Sequence, residues 1–226
     1  MRQFRLAGRR ILRVFDRTMT PVDSLPVPEP PPSDPKDPPG GFYWEASGGR
    51  VRGFIAVPFY PRGEQQIGPD GAVWSTDPGE ASYRIKRWMP GGDTTLILET
   101  RRAPVPVTDA ERDSAISSIR EVLRKRGVGD RDWSKIPDVK PAVTSIFLSD
   151  EGRLWAETPA PDSLRRYDVY DADGRYVGSA VAALDVFRWV PPIVRGDRFW
   201  AIVTDEFNVP YIVRARIRPA DAGADP

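Results

Sequence analysis

Asp150-Glu151-Gly152-Arg153-Leu154-Trp155 sets how this chain is read, because Pro69-Asp70-Gly71-Ala72-Val73-Trp74 makes the same statement earlier. In each stretch an acidic residue and a glycine make a tight reversal, and an apolar residue and a tryptophan leave it. Glycine supplies the left-handed backbone of such a turn, and a short acidic side chain holds it by accepting from nearby amides. Each turn follows an extended stretch and precedes a second hairpin, so one antiparallel β-unit is written twice.

Working outward, Tyr83-Arg84-Ile85 aligns with Tyr167-Asp168-Val169, and the turn from Pro90 to Asp93 aligns with Asp171-Ala172-Asp173-Gly174. Tyr83 to Trp88 alternates with period two, as a half-buried strand does, and Thr94 to Glu99 supplies a fourth strand. Residues 11–28 read as a hairpin whose Val14-Phe15-Asp16 lies over Val169-Tyr170-Asp171, with no inner strand before it. A degraded copy runs from Phe187 through Gly196-Asp197 to Ala201-Ile202-Val203, with Trp200 standing where Trp74 and Trp155 stand. Tyr211 to Ile217 closes the series, and residues 220–226 read as a flexible tail. Phe42-Tyr43-Trp44, Val51 to Val57 and Phe59-Tyr60 are read as extended, after a proline-rich surface loop over 26–41.

One helix interrupts this pattern, near 109–126, inside an insertion spanning 108–138. Thr108 and Glu111 make a capping box, and Ala115, Ile116, Ile119, Val122 and Leu123 recur at helical spacing. Arg124, Lys125 and Arg126 suit the negative end of the helix dipole, and Gly127 suits a left-handed cap.

Four strands repeating at tens of residues, punctuated by glycine and aromatics, is the pattern of a β-propeller blade. The turn followed by Gly-Arg-Leu-Trp and then Tyr-x-Val-Tyr-Asp-x-x-Gly resembles the bacterial six-bladed β-propellers related to NHL-repeat proteins. That resemblance covers nearly all of residues 10–217. It implies an all-β fold of four-stranded antiparallel blades in a single domain over 1–226, and an extracytoplasmic location. Six blades of about 40–45 residues need roughly 240–270 residues. The helix and the proline-rich loop leave room here for about four, so the expectation is a partial, open propeller lacking its amino-terminal blades.

Composition narrows the chemistry. Neither cysteine nor histidine is present among the 226 residues. Disulfides, thiolate nucleophiles, serine–histidine triads and cysteine-bound zinc are excluded, and any metal would rest on oxygen ligands. The net charge of +1 gives no bulk field to draw nucleic acid or an anionic membrane. The longest nearly apolar run, Phe54 to Tyr60, is too short to span a bilayer.

In a propeller the innermost strands line a channel, and loops at one end form the site. That places Phe59, Tyr60, Arg62, Arg188 and Trp189 toward the channel as ligand-binding candidates. Arginine beside aromatics suits an anionic or sugar-like ligand. The same residues serve equally as ordinary strand and loop positions. The acidic turns at Asp70, Asp150-Glu151 and Asp171-Asp173 are explained by turn geometry without calcium. No catalytic residue, metal site or cofactor is assigned. The expected role is a non-enzymatic binding or scaffold propeller with an unknown protein or small-ligand partner. The alternatives are a propeller hydrolase or lyase using carboxylates and an oxygen-ligated divalent ion, and a fragment without independent function.

Overall fold

The computed structural model describes residues 2–6, 9–15, 18–26, 39–45, 52–89, 94–160, 164–187 and 190–218. Most of the proline-rich loop (27–38), the turn at 90–93 and the tail at 220–226 lie outside them. Among the described residues the chain is all-β apart from one α-helix and a short 3-10 turn.

Strands β1 (Arg2–Leu6), β2 (Arg9–Phe15) and β3 (Pro21–Pro26) form sheet I, and β4 (Gly41–Glu45) and β5 (Arg52–Ala56) form sheet II. Sheet III has four strands: β6 (Gln65–Ile67), β7 (Val73–Ser75), β8 (Tyr83–Trp88) and β9 (Thr94–Thr100). Helix α1 (Asp109–Lys125) follows. Sheet IV repeats the four-stranded plan with β10 (Ser145–Leu148), β11 (Leu154–Thr158), β12 (Arg165–Tyr170) and β13 (Tyr176–Ala182). Sheet V consists of β14 (Ile193–Arg195), β15 (Arg198–Thr204) and β16 (Pro210–Arg216). Each sheet is an antiparallel meander whose spatial order follows the sequence. Strand β1 was not expected: it pairs with β2, from Arg2 opposite Arg13 to Leu6 opposite Arg9, so the opening hairpin has a third strand before it. Its arginine-interrupted sequence carries little strand periodicity, and partnership with β2 defines it.

The two reference turns are one structure. Ile67 pairs with Val73 across residues 68–72, and Leu148 pairs with Leu154 across 149–153. In both, the first loop amide donates to the fifth carbonyl, Gly68 to Ala72 at 2.8 Å and Ser149 to Arg153 at 2.9 Å. The fourth residue takes positive φ, 81° at Gly71 and 78° at Gly152, a region that L-residues enter at a cost. The side chain that holds the turn differs. Asp70 Oδ1 accepts from the Ala72 amide, whereas Ser149 Oγ accepts from the Arg153 amide. Two later hairpins use the same loop, held by Asp171 over 171–175 and by Asp205 over 205–209.

A β-bulge fixes the frame of the repeat more firmly than residue identity does. It falls between Val14 and Phe15, between Arg87 and Trp88, and between Val169 and Tyr170, each time at the mouth of the hairpin. Phe15, Trp88 and Tyr170 are therefore equivalent, in agreement with the expected match of Val14-Phe15 to Val169-Tyr170. The match of Tyr83 to Tyr167 is corrected by two residues, because Ile85 stands where Tyr167 does. A shift of two leaves every side chain on its expected face. Trp200 also differs from the reference tryptophans: it follows a two-residue Gly196-Asp197 turn, with Arg195 opposite Arg198.

Packing joins the sheets face to face. Trp74, Tyr83, Ile85 and Leu98 of sheet III meet Ile146, Leu154, Ala156 and Tyr170 of sheet IV in one buried cluster. The alternate residues of sheet IV, Phe147, Trp155, Tyr167 and Val169, meet Val194, Phe199 and Ala201 of sheet V in a second. Strands β10 to β12 of sheet IV are thus buried on both faces, while β13 is the exposed outer strand. A methyl group placed on Gly152 would lie 3.4 Å from Cγ of Pro69, so the reference turns of sheets III and IV are neighbours in space.

Helix α1 belongs elsewhere. The Thr108 hydroxyl accepts from the Glu111 amide at 3.2 Å and Glu111 accepts from the Thr108 amide at 3.0 Å, completing the expected capping box. Ile119 and Leu123 are buried against Phe42, Trp44 and Val57, so the helix covers sheet II. Its insertion is pinched at the base, where Lys140 donates to Val105 and Val107 to Asp138, both at 2.8 Å.

Replacing Trp155 by Ala should cost about 3–5 kcal/mol of unfolding free energy, since a buried ring leaves a cavity between two sheets. Replacing Thr108 by Ala should cost about 1 kcal/mol through loss of the cap. Urea unfolding of the two variants measures both losses, and a Trp155 variant no less stable than the Thr108 variant would contradict the packing described.

Candidate functional site

Sheets III and IV part at one end to leave a cleft of about 1020 Å³, lined by Tyr83, Arg84 and Glu99 of sheet III. The strand leaving β9 (Arg101 to Val105), Lys140 of the pinched base, and Thr158 of β11 complete its walls. Its floor is a polar network set into the apolar interface. Asp168, 4% exposed, accepts a charge-assisted hydrogen bond from Arg102. The Arg102 guanidinium lies 4.9 Å from the centre of the Tyr83 ring, and the Tyr170 hydroxyl donates to that of Tyr83 at 2.9 Å. Burial pushes the Tyr83 hydroxyl far above the ordinary phenol range, and the bond to Tyr170 and the charge of Asp168 push the same way. Tyr83 therefore stays neutral as a hydrogen-bonding group, and Arg102 is held near its ring by Asp168.

Three of the four cations around the cleft are paired: Arg84 with Glu99 at 3.0 Å, Arg102 with Asp168, and Lys140 with Glu111 at 2.6 Å. Arg101 is exposed and has no partner among the described residues. Glu99, Asp168 and Glu111 each neutralise one of these cations, which leaves Arg101 as the lining cation with its charge uncompensated by a direct partner among the described residues. The Glu111 carboxyl, bonded to Lys140 and to the Thr108 amide, sits below its usual range.

The residues expected from sequence are distributed differently. Phe59 and Tyr60 are not extended: residues 58–59 form a turn with Phe59 at φ 57°, and both rings pack at the edge of the cluster beneath α1. The run Val57-Pro58-Phe59-Tyr60-Pro61 reads as β by composition, but two prolines break its pairing and the aromatics fold back onto the core. Arg62 is exposed and acts electrostatically on Glu64. Arg188 and Trp189 lie outside the described residues. The residues that sequence reasoning passed over are Arg101, Arg102 and Asp168. Asp168 was visible as the single acid inside an aromatic strand, but its partner is distant in sequence.

A second acidic feature stands near the start of β6. Burial raises the Glu64 carboxyl above its usual range, Arg62 opposes the shift, and the charge of Glu157 adds to it. Glu157 is held by Arg165 at 2.5 Å. Among the described residues no three acidic side chains come together in a way that could hold a metal ion, and no helix is long and apolar enough to cross a membrane.

No family model matches this chain, and no curated protein matches it.

Because the folded protein holds the Glu64 proton more tightly than the unfolded chain, stability should fall as pH rises from about 4.5 through the folded value. Below that window Glu64 is protonated in both states and contributes nothing. Glu64→Gln should match the native chain at the acid end and exceed it above the window, as read by urea unfolding at a series of pH values. Identical pH profiles would show that Glu64 is not desolvated.

Proposed function

We propose that the chain is a non-enzymatic binding module, an open β-propeller of NHL-like blades, that takes a carboxylate-bearing peptide segment of a partner protein into the cleft between sheets III and IV. One observation carries this reading. Arg102 is fixed in place over Tyr83 by a buried carboxylate, while its neighbour Arg101 is left without a partner at the same mouth. A guanidinium held in advance loses little freedom on binding, and the uncompensated charge of Arg101 favours a carboxylate at the mouth. The blade assignment is supported by the shared bulge and loop in successive sheets and by face-to-face packing on both sides of sheet IV.

A second reading, a propeller hydrolase or lyase working through carboxylates, draws on Glu64, whose raised affinity for a proton suits a general acid and which senses Glu157.

Titration of the labelled protein with a hexaglutamate peptide at low salt tests the first reading. Binding should be observed, should weaken with added salt, and should fall roughly two- to fivefold in Arg101→Ala, the size expected for a rim charge. Absence of binding, or binding indifferent to Arg101, would overturn the reading.

A further inference from the structure

Among the described residues, the inner strands of sheet IV are covered on both faces, whereas sheet V is covered on one. Val194, Phe199 and Ala201 point toward sheet IV. The alternate residues share the opposite face, with Ile193 opposite Trp200 and Ile202 opposite Ile212. Ile193 is 54% exposed and Ile212 74% exposed. The charges on this sheet are sorted by position along the strands. Arg195, Arg198 and Arg216 gather at the β14–β15 turn, where Asp197 pairs with Arg198 and Arg216 at 3.1 Å each, and Arg214 follows opposite Trp200. At the other end the β15–β16 hairpin carries Asp205 and Glu206.

We propose that this face packs against the same face of a second copy of the chain, across a two-fold axis lying in the interface and perpendicular to the strands. Such an axis reverses strand direction between the copies. It lays the arginine end of one over the Asp205-Glu206 hairpin of the other and brings the two sets of Trp200, Ile202 and Ile212 together at the centre. A two-fold axis parallel to the strands would set arginine against arginine. The packing mode is the one that already joins sheet III to IV and IV to V, with side chains of two facing sheets interdigitating. A two-fold contact must be complementary to itself, and the sorting of charge along sheet V meets that condition.

Sedimentation equilibrium of the full chain over a concentration series reads the outcome. The native chain should form a dimer, and Ile212→Asp should weaken it by roughly tenfold or more, as expected for the loss of one buried aliphatic side chain. Because Ile212 is exposed in the single chain, thermal unfolding of that variant at low concentration should be unchanged, which separates loss of dimer from loss of fold. A charge exchange fixes the orientation. Neither Arg195→Glu nor Glu206→Arg, both of which leave the loop-holding Asp205 in place, should self-associate as well as the native chain, but an equimolar mixture of the two should restore the dimer. A monomer at every concentration, a dimer indifferent to Ile212→Asp, or a failure of the mixture to recover would overturn the proposal.

Discussion

The structure depends on a constraint that no single sheet can satisfy: a β-sheet apolar on both faces must be covered twice. The three inner strands of sheet IV meet it. Along β11, Leu154 and Ala156 point to sheet III while Trp155, between them, points to sheet V. The period of two that divides a strand's side chains between faces is thus used here to join three sheets rather than to separate core from solvent. Sheets III, IV and V lie in space in the order they have in sequence.

Within this apolar arrangement the Arg102, Asp168, Tyr83 and Tyr170 group is the exception. Charge placed between two packed sheets costs desolvation, and it persists only when every partner is supplied. Here the acid has an arginine, the arginine has a ring beneath it, and the two tyrosines satisfy one another. The group lies where sheets III and IV diverge, so the departure from apolar packing and the opening of the cleft coincide. Polar satisfaction and a concave surface at one place are what a binding site requires of a repeat fold.

Much of the β architecture was legible because its signals are local. The loops at 68–72 and 149–153 need a residue at positive φ in the fourth position, and glycine marks both. The capping box at Thr108 and Glu111 lies within four residues and was readable as written. What could not be read depends on distant partners. Aligning Tyr83 with Tyr167 followed identity, whereas the bulges before Trp88 and Tyr170 set the true frame. Phe59 and Tyr60 have strand-like composition, but the flanking prolines and the cluster under α1 turn them inward. Arg101 and Arg102 sit in a stretch with no periodicity, and only the return of Asp168 to the same interface gives them meaning.

The placement of α1 has a consequence in time. The helix lies between sheets III and IV in sequence, yet its apolar stripe is spent on sheet II. On a ribosome, sheet II emerges early and waits, its Phe42 and Trp44 uncovered, until Ile119 and Leu123 have been made. A two-stranded sheet has little independent stability. Closing this contact requires a loop that encloses the whole of sheet III, and such closure is entropically costly. The apolar cover of sheet II is thus supplied by a segment made only after sheet III.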